Sequence, residues 1–365
     1  MLMGRFLQQV SGARAVAGGL TGLAIIAGSL LLAPPVMAEP IRGAGSTFAA
    51  PIIAKWAENY ETARMDEGDF SSPDWTVDYE LVGSRAGLMR LDQPEMDFAA
   101  TDVPVSHEEL SKLGRQQFPI VLGSVAIAVN LDGIETGRIN LTGLLLANIY
   151  LGKIRSWADP AIKAVNPDIN LPDLKISPVS RKDGSGTTFM FTEYLSSASP
   201  EWKVAYGADT RIAWPAGTSV EGTQDLLRMV QAITGAIAYA DFGQVERANL
   251  PYAVVQNKAG RFVRPGPDGV RAAASATLWD EANDFSVSLT DQPGEGAYPI
   301  SGATFAVVPV TGQQPSRYHR VRDFFRLAFE AGSSDAEALG YVPLPPQLVS
   351  RVVKYWLAAD VSASQ

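Results

Sequence analysis

The sequence predicts an α/β protein with mostly parallel sheets, and three observations carry that prediction. Apolar segments of strand length alternate with segments whose apolar residues fall at helical spacing, along the whole chain beyond residue 38. Several strand patterns run directly into Gly, Ser and Thr at the start of a helical pattern, as parallel α/β units do. The 365 residues are 46% hydrophobic and 19% charged, a globular composition with material for two domains or one large one.

Taken in order, the chain opens with Arg5 and Arg14, then "AVAGGLTGLAIIAGSLLLA" and "PPVMA". A basic start, an apolar stretch and small residues at Val36 and Ala38 read as a secretory signal peptide over 1–38, cut after Ala38. An uncut anchor is the alternative, but the glycines of the stretch and the helix-breaking Pro34 and Pro35 favour cleavage. A helix follows over "IIAKWAENYETA", with Pro51 in its first turn, where a missing N–H costs nothing. "TVDYELV" and "MDFAATDV" read as strands, and "HEELSKLG" as a helix whose capping box is Ser106 with Glu109. Then come strand "SVAIAVNL", helix "LTGLLLANIYLG" and strand "KISPVS", which passes through "RKDGSGT" into the helical "TFMFTEYL". "QDLLRMVQAI" reads as a helix, and "AIAYADF" and "TFAVVPV" as strands. "VRPGPDGVRAAA" reads as a Pro/Gly-rich surface excursion. "RYHRVRDFFRLAF" reads as an amphipathic helix with Val321, Phe324, Phe325 and Ala328 on its core face. No fixed-period repeat occurs, and composition marks no domain boundary.

Charge and residue inventory remove several function classes. A formal charge of −9, which loss of the two leader arginines takes to −11, provides no basic field for nucleic acid. The chain has no Cys, so disulfides, thiolate chemistry and Cys-ligated zinc are absent. His107 and His319 are the only imidazoles, too few for a multi-histidine metal site.

What remains is a set of loops. "GAGSTF" places Gly43, Gly45, Ser46 and Thr47 before a helix; "VGSRAG" does the same with Gly83, Ser84 and Gly87. "MDFAATD" ends a strand on Thr101 and Asp102, and "RKDGSGT" combines Arg181 and Asp183 with Ser185, Gly186 and Thr187. Each junction exposes unpaired N–H groups at the positive end of a helix, glycine admits an anion close to the backbone, and hydroxyls add donors. Such a set suits a small oxyanion or a nucleotide. "GAGSTF" has Phe48 where a dinucleotide fingerprint needs its third Gly or Ala, and no GxxxxGK[ST] or G-x-S-x-G occurs. By residues alone Asp102 fits two roles, a cap of the turn before Val103-Pro104 or an acceptor facing a ligand.

"GAGSTFAAPIIAKWAENY", "FAATDVPVS", "FPIVLGSVAIAVN", "LANIYLGKIRSW", "SRKDGSGTTFMFTEYL" and "TGAIAYADF" occur in order from about Ile41 to Trp356. Together they resemble the periplasmic phosphate-binding proteins of phosphate-specific ABC importers, which are type II periplasmic solute-binding proteins. The resemblance implies a two-lobed, hinged, non-enzymatic receptor, one lobe from 39–121 and 300–365 and the other from 122–299. Hinge crossings fall near 121–125 and 298–304. It implies a phosphate site made of Thr47, Phe48, Ser84, Asp102, Arg181, Ser185, Gly186 and Thr187, with Asp183 holding Arg181. It further implies no cofactor, a periplasmic location, a monomer, and delivery of inorganic phosphate to membrane permease subunits. Where relatives commonly have Gly-Ser-Ser-Gly-Gly, this chain has Arg85 and Ala86 after Ser84. Arg85 either leans to the cleft mouth or points to solvent, the default for an arginine on an acidic protein.

Other residues have plainer readings. His107 reads as a first-turn surface residue, and Trp157, Trp214 and Trp356 as packing. Arg317, Arg320 and Arg322, like Lys153 and Arg155, read as solvated charges that a permease could also contact. The runner-up from another class is a secreted phosphomonoester hydrolase with Ser185 as nucleophile and Arg181 as phosphate anchor, which lacks an evident base. Sulfate, molybdate or a phosphonate in the same fold, or a secreted phosphate-binding adhesin, are further alternatives.

Overall fold

A computed structural model describes residues 39–66, 76–310 and 315–363, so the signal-peptide expectation over 1–38 lies outside the described residues. The first elements are strand β1 (Ile41–Gly45), helix α1 (Ala50–Asp66), β2 (Val77–Glu80), α2 (Ser84–Arg90), β3 (Phe98–Thr101) and α3 (His107–Leu113). The long β4 (Arg115–Val129) leads to β5 (Asn140–Leu141), α4 (Gly143–Tyr150), α5 (Pro160–Ala164), β6 (Ser177–Arg181), α6 (Gly186–Ala198) and α7 (Pro200–Ala205). Then come β7 (Thr218–Val220), α8 (Gly222–Ala232), β8 (Ala236–Asp241), α9 (Phe242–Arg247), β9 (Val254–Gln256), β10 (Phe262–Val263) and α10 (Pro267–Ser275). The chain finishes with β11 (Ser301–Pro309), α11 (Pro315–Ala331), α12 (Ser333–Ala338) and α13 (Pro346–Ala363). Among the described residues, no helix is long and apolar enough to cross a membrane.

One mixed sheet of eight strands, in the order β2-β1-β3-β11-β4-β8-β6-β7, organises these elements, beside a small sheet β10-β9-β5. β1 is parallel to β2 and β3, and β6 is parallel to β7 and β8. Between these parallel groups, β11 and β4 run antiparallel to their neighbours. β4 has two partners in succession: Arg115 to Ser124 lie on β11, and Val125 to Val129 lie on β8. It is buried from Gln117 onward, so it reads as a continuous apolar run rather than an alternation.

Sequence patterning finds this strand only from Ser124, because Pro119 and Gly123 look like breakers. Proline lacks an N–H and is tolerated inside a sheet at a bulge. The β11–β4 register shows one there, shifting from Thr304 opposite Val121 to Phe305 opposite Pro119. The Pro/Gly excursion is also corrected. Pro267 sits in the first turn of α10, which buries Gly269, Val270, Ala273 and Ala274.

The helix over "RYHRVRDFFRLAF" packs as its spacing predicts, with Val321, Phe324, Phe325 and Ala328 buried. Its basic residues are not a free face. Arg317 donates to the carbonyls of Pro94 (2.9 Å) and Glu95 (2.6 Å) and pairs with Asp97. Arg320 donates to the Glu39 carbonyl (2.7 Å), and Arg322 is buried over the Tyr318 ring. A flexible stem and a forked donor let arginine staple backbone carbonyls, which hydrophobic periodicity cannot register. His107 likewise contacts Asp284 (2.5 Å), whose segment is tied to α13 by Arg351 donating to the Trp279 carbonyl (2.7 Å). Trp157 and Trp356 are buried as expected.

Candidate functional site

The carboxyl ends of β1, β2, β3 and β6 converge, as the strand–Gly/Ser–helix pattern predicts. After β1, the buried Ser46 hydroxyl accepts from Ala49 N–H (3.0 Å), starting α1, and donates toward both carboxylate oxygens of Asp102 (2.8 Å each). Phe48 is anchored by its own backbone and ring. Its carbonyl accepts from the Tyr341 hydroxyl (2.6 Å), and its buried ring meets the Tyr341 ring edge-on. Thr47 and Phe48 therefore precede α1, where a helix leaves N–H groups without intrahelical acceptors.

After β2, Gly83 adopts φ 83° and carries Ser84 into α2. A side chain at Gly83 would be strained and would overlap the Gly184 carbonyl from the β6–α6 loop, so the two loops meet there backbone to backbone. The Ser84 hydroxyl donates to Asp102 Oδ2 (3.1 Å) and accepts from Asp102 N–H (3.1 Å). Asp102, past the end of β3, is 3% exposed. Its Oδ1 also accepts from Thr304 Oγ1 of β11 (2.6 Å). Burial raises the Asp102 pKa above the usual carboxylate value; donation from Thr304, Ser46 and Ser84 and the charge of Arg181 partly offset this.

On the other side, β6 ends at Arg181, which is 1% exposed. Asp183 grips its guanidinium with both carboxylate oxygens, Nε–Oδ1 being 2.7 Å. Arg181 Nη1 donates to Thr223 Oγ1 of α8 (3.0 Å), and both terminal nitrogens lie 3.4 Å from Thr47 Oγ1. Below it, the Tyr239 hydroxyl accepts from Arg181 N–H (3.0 Å) and Trp214 Nε1 donates to the Arg181 carbonyl (3.0 Å). Burial pushes the Asp183 pKa up, but its bonds to Arg181, the arginine charge and Gly222 N–H outweigh it, leaving it below the usual value. Ser185 caps α6, its hydroxyl accepting from Thr188 N–H (3.3 Å). Gly186 and Thr187 form the first turn, both buried. Only glycine fits at 186, since a Cβ would overlap Asp102 Oδ2 and Ser84 Oγ.

The residues that the resemblance assigns to the anion site thus lie in one place. Thr47 meets Arg181, and Gly186 abuts Asp102 and Ser84. Phe48 adjoins Thr47, Ser185 and Thr187 flank Gly186, and Asp183 grips Arg181. Chemically this is a ring of neutral donors with one compensated cation and one acceptor-only carboxylate, which suits a protonated oxyanion. Arg85 is exposed, as the default reading has it, but its Nη1 also lies 4.0 Å from Asp209 across the rim. Sequence reasoning missed Ser46, Thr223, Tyr239 and Thr304 as partners of the two charged groups. Ser46 had a usable signal, a hydroxyl inside the Gly-Ser-Thr loop; Thr223 and Thr304 look like ordinary helix-start and strand threonines. Among the described residues, no group of three or more His, Cys, Asp and Glu is placed to hold a metal ion.

Residues 17–327 match a family model described as a PBP superfamily domain. The phosphate-binding protein PstS of Xylella fastidiosa is 40% identical over 316 residues, 87% of this chain and 84% of its own. The PstS of Haemophilus influenzae is 36% identical over 323 residues, 88% of this chain and 94% of its own. Among solved structures, a phosphate-binding protein from Stenotrophomonas maltophilia superposes with a TM-score of 0.61 at 21% identity, covering 86% of this chain and 93% of that one. An ABC-type phosphate transport receptor from Vibrio cholerae gives 0.54 at 20% identity, covering 84% and 100%. The structural matches speak for a shared two-lobed α/β fold.

Proposed function

The chain belongs to the PstS phosphate-binding family of the PBP superfamily, and from that premise we propose that it binds inorganic phosphate between its lobes and delivers it to an ABC-type importer. The observation that carries this reading is Asp102. It is a buried carboxylate ringed by neutral hydroxyl donors, with the buried Arg181 on the facing loop. Thr47, Phe48 and Ser84 supply donors from one lobe; Arg181, Ser185, Gly186 and Thr187 supply them from the other, with Asp183 orienting the arginine. Phosphate near neutral pH keeps at least one O–H, which ionised Asp102 accepts; sulfate has none and would set oxygen against oxygen. A hydrogen bond to a charged group contributes about 1.5–3 kcal/mol, roughly 10- to 150-fold in selectivity. Repulsion in a dry site adds to that.

The lobes comprise 39–121 with 300–365, and 122–299. The partner change of β4 after Ser124 and the Tyr298 hydroxyl donating to the Val125 carbonyl (2.8 Å) support hinge crossings near 121–125 and 298–304. The 122–299 segment includes a stretch, 279–284, held on α3 through His107 and on α13 through Arg351. The protein is a monomeric receptor rather than an enzyme, exported to the periplasm with its leader cut after Ala38, and its partners are membrane permease subunits.

Calorimetric titration of phosphate and of sulfate into ligand-stripped protein tests the reading. Phosphate is expected to bind and to raise the melting temperature with concentration, and sulfate to bind far more weakly. Absence of both responses to phosphate would overturn it. Sustained turnover of a chromogenic phosphomonoester, lost in Ser185→Ala, would replace it with the hydrolase.

A further inference from the structure

We propose that Thr304 is a positioning residue for phosphate recognition, its hydroxyl fixing one oxygen of Asp102 so that the other is presented to the anion. This rests on the phosphate reading and names the residue that sets its selectivity.

The two oxygens of Asp102 have different surroundings. Oδ2 faces the first turn of α6, where a Cβ on Gly186 would overlap it, and also receives Ser84. Oδ1 is held by Thr304 Oγ1 at 2.6 Å, with Ser46 reaching both oxygens. Oδ2 is therefore the oxygen toward the facing lobe, and Thr304 grips the other. Thr304 is fully buried and sits beside the bulge that Pro119 imposes on the β4–β11 ladder. A bulge re-aims side chains on a strand. Thr304 is thus delivered by one of the strands that cross between the lobes, so the proton-reading carboxylate is tied directly to the hinge.

The hydroxyl also governs whether Asp102 is ionised. Burial drives the carboxyl toward its protonated form, and Thr304, Ser46 and Ser84 oppose that. The charged and titratable groups around it are Arg181 on the β6 side, Tyr79 on β2, and Asp241 and Tyr341 beside the hinge. Of these, Arg181 favours ionisation of Asp102. Without Thr304 the carboxyl takes up a proton more readily. A protonated Asp102 has lost its negative charge and can donate its O–H to an unprotonated oxyanion, so it stops excluding sulfate.

The test is calorimetry of phosphate and sulfate binding to wild type, Thr304→Val and Thr304→Ser from pH 5 to 8.5. In Thr304→Val, phosphate affinity is expected to fall about tenfold near pH 7, the scale of one hydrogen bond to a charged group. The loss should grow toward acid, with the acid limb displaced to higher pH, and sulfate affinity should rise there. Thr304→Ser should restore both the profile and the discrimination. Thr304→Ala gives the same readout should the valine variant not fold. Equal phosphate affinity in Thr304→Val and wild type, or a uniform loss at every pH with selectivity intact, would overturn the assignment. Wild type that fails to bind phosphate would instead overturn the function on which it rests.

Discussion

The site has two charged corners, and they handle charge in opposite ways. Arg181 is buried with its counterion: Asp183 takes its fork, Thr223 adds an acceptor, and the carboxylate of the pair is held below its ordinary pKa. Among the described residues, the buried Asp102 carboxylate has no counterion in hydrogen-bond contact, only the hydroxyls of Ser46, Ser84 and Thr304, and its pKa is raised. The cation is thus nearly neutralised before any anion arrives, while the acid keeps an unmet demand for a proton. In the proposed site, attraction would fall to the dipoles of Thr47, Ser84 and the first turn of α6, and discrimination to Asp102. A protein of formal charge −9 can hold an anion on these terms, because short-range donors act where the long-range field is screened within about 10 Å.

Arg181→Ala removes the guanidinium and leaves the Asp183 carboxylate without its partner. Phosphate binding should weaken by about 2–5 kcal/mol, read by calorimetry, and a near-normal affinity would make the compensated corner dispensable.

A third carboxylate sharpens the contrast through pH. Asp241 caps α9 through Gln244 N–H (2.9 Å), and burial pushes its pKa up to about 7. Unfolded, it would titrate near the usual carboxylate value of about 3.9. The folded protein therefore holds a proton that the unfolded chain has released across that window. Stability should fall as pH climbs from about 4 to about 7 and level off above, by an amount on the order of a few kcal/mol. Asp241→Asn, which keeps a capping oxygen, should flatten most of that slope in melting temperature. Asp183 has the opposite sign: its contribution is present above the ordinary carboxylate pKa and is lost below it as acid removes the pair. A wild-type melting temperature that rises steadily from pH 4 to 7 would contradict this contribution of Asp241.

Asp102→Asn tests the acid corner directly, and the phosphate-to-sulfate affinity ratio should drop roughly 10- to 150-fold. An unchanged ratio would remove Asp102 from selectivity. The smallest effect is expected at the rim. Arg85 and Asp209 are both exposed, and such pairs contribute about 0–1 kcal/mol. Arg85→Ala should slow phosphate association several-fold at most, in stopped flow at low salt, and by less as salt is added.

The sequence carried the donor loops well, because each is a contiguous strand–Gly/Ser–helix junction whose chemistry lies within a few residues. Asp102, Arg181 and Gly186 were legible on those grounds together with the family likeness. What was hidden lay across the sheet. Thr304 is 202 residues from Asp102, and Thr223 is 42 from Arg181. In both, a hydroxyl on a regular element looks like local propensity until the folded chain sets it opposite a charge. The first half of β4 was hidden for a related reason, since Pro119 breaks a strand in general but here marks the bulge beside Thr304. Arg317, Arg320 and Arg322 looked solvated because their acceptors are backbone carbonyls distant in sequence, which no charge pattern reveals.

β4 also bears on how the molecule comes apart. Its first ten residues pair with β11, on the side of the eight-stranded sheet that leads to Asp102, and its last five pair with β8, on the side that leads to Arg181. Melting either side strips a ladder from a strand the other side needs, exposing an unpaired edge and apolar faces together. Neither side can then survive as a stable remnant, and heat should carry the whole receptor through a single cooperative transition instead of the stepwise loss common in multidomain chains.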